Sequence, residues 1–182
     1  MMLSKNFSLA EMTKSQTAER KGIDNLPNAD HIFNLTALCE NILQPIRNEF
    51  GSFIVSSGFR SVALSQEIGS KSTSQHCKGE AADFEVAGVD NYKLATWIEK
   101  NLPYDQLILE FYKGGNSGWI HCSYIPDGRK ETLTINSNGK KRGLIKANRD
   151  ISEKDLINLI KKNVEINKYI KNQECKKKIF VP

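Results

Sequence analysis

Apolar residues first recur at helical spacing, and this pattern predicts a long helix over residues 28–50. Its apolar positions lie three or four residues apart and form one face: Ile32, Leu35, Leu38, Ile42, Ile46 and Phe50. Pro45 should kink this helix, because its ring cannot donate a hydrogen bond to the preceding turn. Ser8, followed three residues later by Glu11, is a capping-box pattern and predicts a short helix at the beginning of the chain.

Short β-branched or alternating runs predict strands in the middle of the chain. These strands are expected at residues 53–57, 80–86, 106–111, 119–124 and about 130–135. Two helices should lie between them, one over 61–68 that ends at Gly69 and one over 91–101 that Asp90 can cap. The polar stretches at 70–79 and 136–143 are typical of loops.

The order of these elements predicts an α+β fold, with helices packed on one face of a small, mostly antiparallel sheet. Helices come first, and short turns or loops join most of the strands that follow. A last helix over 153–171, which Ser152 and Asp155 can cap, follows the strands. We therefore predict two parts, a domain over residues 1–146 and a basic helix and tail over 147–182.

One carboxylate lies where an apolar strand is expected. In "EAADFEV", alternation places Asp83 on the face opposite Ala82 and Phe84, which should be the core face. A buried carboxylate is costly unless it is paired or coordinates a metal. Folding residues 106–124 into a hairpin centred near Gly115 should bring Glu110 across from His121, on one face of the sheet.

Two histidines and this aspartate are therefore candidates to converge. His76, in a polar loop beside Gly79, precedes Asp83 by seven residues, and His121 lies on a neighbouring strand with Glu110 beside it. Two histidines and a carboxylate can form a catalytic zinc site, in which three protein ligands leave the fourth position for water. A nearby carboxylate can then act as general base.

Each of these residues also has an ordinary interpretation. A lone histidine is most often a satisfied polar side chain, and this is our interpretation of His31 on the first helix. Asp83 alone could be a buried hydrogen-bond acceptor, and Glu110 alone a salt-bridge partner. Cys77 and Cys122 each follow a candidate ligand, and we interpret them as small core residues. A Cys–His nucleophile pair is the alternative, but it would leave the position of Asp83 unexplained.

Four motifs in order carry a family resemblance. The segments "SSGFRS", "SQHCKGEAADF", "DQLILEF" and "GWIHCSY" resemble the zinc D-alanyl-D-alanine peptidases. That family includes carboxypeptidases and phage endolysins that cut peptidoglycan stem peptides, and its fold is shared with hedgehog signalling domains. The resemblance extends from residue 7 to about residue 146. It implies that His76, Asp83 and His121 bind Zn²⁺.

The resemblance also implies roles for residues around the metal. Arg60 matches the arginine that faces the substrate's carboxylate, a task that suits the bidentate fork of a guanidinium. Ser74 and Gln75 would line the pocket and donate hydrogen bonds to the substrate.

The position of the catalytic base departs from related peptidases. Many of them carry it as Glu-x-x-His, three residues before the last ligand, but here that residue is Gly118. Glu110 is the predicted substitute, and Glu80 and Glu85 are the alternatives.

Composition limits where the protein could act. The 182 residues contain no run of eighteen apolar residues, and the first residues resemble no signal peptide. We therefore expect synthesis in the cytoplasm and action at the bacterial cell wall after release, or from a phage particle. The four cysteines show no CxxC spacing, so we expect no disulfide framework.

The net charge of +5 is concentrated at the end of the chain. Residues 140–182 carry 13 Lys and Arg against 5 Asp and Glu, whereas residues 1–139 carry 13 against 16. This tail could be a docked helix with a solvated lysine face, or it could attract an anionic wall polymer, a lipid surface or nucleic acid. Tyr169 alone lies among its lysines, which is too little aromatic interleaving for single-strand binding, so we expect no specific nucleic-acid partner.

We therefore predict a monomeric zinc metallopeptidase that hydrolyses an amide bond in peptidoglycan stem peptides, as a phage-type endolysin or carboxypeptidase. The alternative is a catalytically silent domain of the same fold that serves as a structural or binding part of a virion. The missing Glu-x-x-His keeps that alternative open. A nucleic-acid-binding protein, suggested by the tail alone, is a third hypothesis.

Overall fold

The structure is a computed structural model, and it describes residues 1–147 together with positions 161 and 164. Residues 1–147 form one compact unit. Its α-helices are α1 (Leu9–Thr13), α2 (Gln16–Lys21), α3 (Ala29–Leu38), α4 (Gln44–Phe50), α5 (Val62–Glu67) and α6 (Asn91–Asn101). Its strands are β1 (Ile54–Ser57), β2 (Ala81–Glu85), β3 (Gln106–Glu110), β4 (Trp119–Ser123), β5 (Glu131–Asn136) and β6 (Gly139–Arg142).

The helix predicted over 28–50 forms, but a short π-helical segment interrupts it. A π-helical segment, Cys39–Leu43, joins α3 to α4 directly before Pro45, where a regular α-helical hydrogen bond could not form. The predicted apolar face packs in the core, with Leu35, Ile42 and Ile46 completely buried.

Helix caps were predicted well, whereas one helix was missed. Ser8 accepts a hydrogen bond from the backbone N–H of Glu11, and Asp90 accepts one from Lys93, both at predicted N-caps. Helix α2, a six-residue helix that begins after Ser15 and ends before Gly22, was not predicted from the sequence.

The strands form one mixed sheet, so the predicted α+β fold is confirmed. Within the described residues the strand order is β1-β2-β4-β3-β5-β6, and only the β3–β5 pair is parallel. The prediction of a loop over 136–143 is wrong in part, because residues 139–142 form β6 and pair with β5. Short polar strands at a sheet edge bury no apolar face, so periodicity gives no signal for them.

The helices and the core lie on one face of this sheet. Alternate residues of the central strands point into the core, which α3, α4 and α6 complete: Ala82, Phe84, Leu107, Leu109, Ile120 and Cys122. The opposite face is left for Asp83, His121 and their neighbours, as alternation predicted. No helix in the described part of the chain is long and apolar enough to span a membrane.

The register of the β3–β4 hairpin is shifted by two residues from the predicted one. Glu110 pairs with Trp119, and His121 pairs with Ile108, so Glu110 does not lie directly across from His121. The predicted face is nevertheless right, because a shift of two residues preserves side-chain parity. Glu110 and His121 therefore project from the same side of the sheet.

Gly118 closes this hairpin in a conformation that only glycine fits. Its φ is +69°, and a Cβ built there would lie 1.9 Å from the backbone oxygen of Glu110. Gly115, at the tip of the same hairpin, has a similar φ of +59° but open space around it. A side chain at Gly118 would therefore meet both backbone strain and a steric clash, whereas one at Gly115 would meet backbone strain alone.

An ion pair between a buried carboxylate and an exposed arginine joins the beginning of β3 to the turn before β5. The Asp105 carboxylate, 1% exposed, accepts hydrogen bonds from the backbone N–H, Nε and Nη2 of Arg129 at 2.9, 2.9 and 2.8 Å. It also accepts one from Nε2 of Gln75 at 2.8 Å. The Arg129 bonds outweigh burial and lower the pKa of Asp105 to about 2.

The tail lies largely outside this description. The predicted helix over 153–171 is outside the described residues except for positions 161 and 164, and the predicted boundary between 146 and 147 stays a prediction. In the described part, the cysteines Cys39, Cys77 and Cys122 are free and buried. Cys39 packs in the helical core, where burial raises its pKa to about 12.

We expect Gly118→Ala to destabilise the protein by about 3 kcal/mol or more, because both the left-handed conformation and the clash with Glu110 penalise a Cβ. Gly115→Ala is the matched control and should cost only about 1 kcal/mol, for backbone strain alone. Denaturant unfolding of both variants measures the difference. Equal losses would show that the close approach at Gly118 does not constrain the chain.

We expect Asp105→Asn to cost stability in a pH-dependent way. The carboxylate has a lower pKa folded than unfolded, so its contribution is complete above about pH 4 and is lost as the pH falls towards 2. The difference from wild type should be about 2 kcal/mol at pH 6 and should shrink in acid. Denaturant unfolding across this range measures it. Asp127→Asn, at an exposed position in the same turn, is the control and should show no such trend.

Candidate metal centre

The first candidate ligand, His76, is held in a tight 3₁₀ turn, Gln75–Lys78. The Ser74 hydroxyl caps this turn by accepting from the His76 N–H at 3.4 Å. Gly79 ends it at φ +73°, where an added Cβ would lie 2.5 Å from the backbone oxygen of His31 on α3. The turn is therefore pressed against α3, and this contact fixes the height of His76 above the sheet.

The other two candidate ligands come from neighbouring strands. Asp83 on β2 and His121 on β4 are direct partners in the antiparallel register, so their side chains emerge side by side. Both point away from the core. The three predicted ligands therefore converge, although 45 residues separate the first from the last.

Three donor atoms face a common point. Nε2 of His76 lies 3.2 Å from Oδ1 of Asp83 and 3.2 Å from Nδ1 of His121, and the latter two atoms are 2.9 Å apart. Ligands about 2.0–2.1 Å from a tetrahedral zinc ion lie about 3.3 Å from one another. The triangle thus has nearly the dimensions of one face of a zinc coordination tetrahedron.

A backbone contact sets the tautomer of His76. Nδ1 lies 2.7 Å from the carbonyl oxygen of Gly58, which can only accept, so Nδ1 carries the hydrogen and Nε2 presents its lone pair to the site. Gly58 itself approaches the Met12 backbone so closely that a Cβ there would lie 2.3 Å from the Met12 oxygen. Helix α1 therefore supports the orientation of a candidate ligand from behind.

Burial and mutual contacts adjust the charge of the cluster. Burial lowers the pKa of His76, so the imidazole is neutral, the form that a metal ligand requires. Burial alone would raise the pKa of Asp83, but its contacts with the adjacent imidazoles hold it below its usual range. The cluster therefore offers one anionic oxygen beside the lone pair of His76, and with His121 it forms a donor set suited to Zn²⁺.

Arg60 contacts the second oxygen of Asp83. Its Nη1 lies 3.6 Å from Oδ2 of Asp83 and donates to the Ser57 hydroxyl at 3.0 Å. Its Nε is buried and has no hydrogen-bond partner among the described residues. Arg60 thus borders the metal centre and helps to orient Asp83, so that Oδ1 faces the two histidines.

Glu110 lies in the same cleft as the cluster, a cavity of about 970 Å³ that Ser74, Gln75 and Arg60 also line. Burial raises the pKa of Glu110, and the negative charge of Asp83 raises it further, whereas His121 and a hydrogen bond with the Trp119 side chain lower it. A carboxylate with a raised pKa is a better proton acceptor once ionised. The structure therefore brings Glu110 to the metal centre, as predicted from its face.

The alternative carboxylates lie elsewhere. Neither Glu80 nor Glu85 lines the cleft, and Glu85 is exposed on β2 beside β1. Position 118, where related peptidases carry a glutamate, cannot accept a side chain without moving the Glu110 backbone. Glu110 is consequently the carboxylate best placed to serve the cluster.

The ion pair that supports Gln75 was not predicted from the sequence. Gln75 precedes His76 directly, and Asp105 anchors its amide at 2.8 Å, with Arg129 on the other side of the carboxylate. A signal was present in the sequence: Asp105 shares the parity of Leu107 and Leu109, so its carboxylate had to be buried and needed a partner.

The cysteines face away from this chemistry. Cys122 lies in the core, where burial raises its pKa well above the usual range, and the Sγ of Cys77 donates to the Ser65 hydroxyl at 3.0 Å. Neither lines the cleft that holds His76 and His121. The Cys–His alternative therefore has no support in the geometry.

These features together describe a site for metal-dependent hydrolysis. The side chains of His76, Asp83 and His121 offer ligand atoms within 4.8 Å of one another and could hold one metal ion beside a carboxylate base. A search of curated proteins finds no match to this chain. The sequence model of the Peptidase M15 family matches residues 5–123, which include all three residues. The chain therefore belongs to the Peptidase M15 family, the zinc D-Ala-D-Ala peptidases, and is a zinc-dependent peptidase.

Proposed function

We propose that this zinc peptidase hydrolyses an amide bond in peptidoglycan stem peptides, as a phage-type endolysin or a carboxypeptidase. The observation that carries the proposal is the single cleft in which Glu110 faces the triangle of donor atoms and Arg60 borders it. The resemblance of the four motifs to zinc D-alanyl-D-alanine peptidases supports the choice of substrate.

In this proposal, His76, Asp83 and His121 hold the zinc ion. Zinc bound to them supplies Lewis-acid chemistry for the hydrolysis of a peptide bond. The carbonyl of Gly58 keeps His76 in the required tautomer, and Arg60 keeps Asp83 turned towards the two imidazoles. Each ligand is therefore oriented before substrate binds, which reduces the reorganisation that catalysis requires.

Glu110 acts as the general base. Its carboxylate takes a proton from the attacking water and returns it to the nitrogen of the leaving group. Partial burial weakens the hydration of the carboxylate and raises its pKa, and the carboxylate lines the same cleft as the three ligands. It therefore replaces the glutamate that related peptidases carry in Glu-x-x-His.

The remaining predicted residues bind the substrate. Arg60, whose side chain is 15% exposed, lies at the border of the cleft, where its guanidinium can pair with a substrate carboxylate. Ser74 and Gln75 line the same wall and are held in place by the 3₁₀ turn and by Asp105. A substrate with a free carboxylate near the scissile bond would satisfy this arrangement.

The site of action belongs to the same proposal. A peptidoglycan peptidase acts at the bacterial cell wall, which this protein would reach after release from the cell or as part of a phage particle. The excess of positive charge over residues 140–182 supports attraction to an anionic wall polymer or lipid surface.

Digestion of purified peptidoglycan tests this function directly. We expect the protein to release fragments whose masses identify one type of cleaved amide bond. A chelator should abolish release, and added zinc should restore it. If the zinc-loaded protein cleaves no wall preparation, the catalytically silent domain becomes the better interpretation, as the missing Glu-x-x-His would allow.

We expect the purified protein to hold one zinc ion per chain and His76→Ala to lose it, because two ligands cannot close the site. Elemental analysis after dialysis measures the stoichiometry. His31→Ala is the matched control, since His31 forms a capping box with Asn28 and packs against Phe59 without joining the cluster, and it should leave zinc content unchanged. Full zinc occupancy in His76→Ala would contradict the ligand assignment.

We expect Glu110→Gln to fold, keep its zinc and bind substrate, yet turn over at least about a hundredfold more slowly, because an amide cannot accept the proton. The pH profile of kcat/KM in this variant should also lose its acidic limb. Glu85→Gln removes an exposed carboxylate from β2 and should behave as wild type. Near-normal turnover in Glu110→Gln would move the base to another residue.

A further inference from the structure

A second cavity adjoins the metal cleft, and the proposed function gives it no role. We name it the edge groove: it lies between β1 on one side and residues 14–17 with Arg20 on the other, and its volume is about 530 Å³. Arg60 and Ile68 line both cavities. The edge groove therefore adjoins the cleft in which the metal ligands lie.

The strand along this groove has an unpaired side. Within the described residues β1 is the end strand of the sheet, with β2 as its neighbour, and all four of its residues line the groove. The side chain of Val55 packs in the core, so this residue offers mainly backbone to the groove. Free N–H and C=O groups of an edge strand can pair with an extended peptide.

The groove is positively charged. Three cations line it, Lys14, Arg20 and Arg60, together with several hydroxyl groups, and no described Asp or Glu is among its lining residues. Lys14 and Arg20 are exposed, so their charges reach a ligand without a large desolvation penalty. A ligand that complements this surface has carboxylates as well as peptide groups.

The end of β1 leads towards the catalytic residues. Ser57, the last residue of β1, pairs with the candidate ligand Asp83 and accepts a hydrogen bond from Arg60. A peptide chain laid along β1 therefore passes Arg60 as it reaches the metal cleft. β1 spans about 13 Å, enough to pair with about four residues of a substrate.

We propose that the edge groove is a substrate subsite that binds an extended, carboxylate-bearing peptide segment remote from the scissile bond. This inference rests on the proposed function and extends it, because it adds the part of the substrate that selects an acidic peptide. The backbone of β1 pairs with the peptide main chain, and Lys14 and Arg20 bind its carboxylates. A phosphate-bearing polymer, which lacks peptide groups, would use only the cations.

Two matched peptides test the charge requirement. They share one scissile bond and keep the carboxylate nearest to it, which faces Arg60, free; the other carboxylates within about four residues are free in one peptide and amidated in the other. We expect wild type to favour the free acid by about two- to thirtyfold in kcat/KM, mainly through KM, and less at high salt. The double variant Lys14→Gln/Arg20→Gln should bring the ratio close to one.

A second double variant controls for the change in net charge. Lys93→Gln/Lys100→Gln removes two exposed cations from α6, and neither residue lines the edge groove. This variant should keep the wild-type ratio. If both double variants reduce the ratio equally, long-range attraction explains it and the groove assignment is wrong. If neither changes the ratio, Lys14 and Arg20 do not bind the substrate.

Direct binding separates this inference from the proposed function. Calorimetry with the full-length Glu110→Gln variant measures peptide affinity without turnover, so inactive wall digestion would not prevent the test. N-methylation of peptide amides should weaken binding at alternate residues if the peptide pairs with β1. Uniform effects at all positions, or binding of polyglycerol phosphate but not of the acidic peptide, would overturn the proposal.

Discussion

The metal centre depends on one costly arrangement, a carboxylate buried between two imidazoles on the polar face of the sheet. Because burial disfavours the ionised form of Asp83, the contacts of His76, His121 and Arg60 with its two oxygens have to be held in place. This requirement explains why the surrounding backbone is so tightly packed. The glycines behind the site allow the His76 turn and α1 to approach closely enough to hold the three donor atoms within 3.2 Å.

The sheet separates structure from chemistry by side-chain parity. Residues of one parity fill the core with α3, α4 and α6, and residues of the other parity form the cleft. Cys122 and His121 illustrate the separation, since adjacent residues on β4 have opposite roles. Substitutions in the cleft can therefore alter activity with little effect on packing, whereas a one-residue register shift would destroy both.

The features that could be predicted from the sequence are those that leave a periodic pattern of apolar residues or a local capping motif. The long helix, the Asp90 cap, the core face of β2 and the convergence of the His-Asp-His group could all be inferred in this way. The pairing of Glu110 with Trp119 could not, because the turn geometry at Gly118 sets the register and alternation sets only the face. β6 was missed because a short polar edge strand buries no apolar face, and the Asp105–Arg129 pair was missed because parity shows that the Asp105 carboxylate is buried but not which residue pairs with it.

The two edges of the sheet have a consequence for self-association. β6 forms the edge opposite β1 in residues 1–147, and its four residues, Gly139–Arg142, are all exposed and include three cations. If the sheets of two copies paired edge to edge, this strand would lie against the β1 edge of the other copy, beside Lys14 and Arg20. Like charges would then meet at the junction. Electrostatic repulsion therefore disfavours edge-to-edge polymerisation, even though β1 has open backbone groups.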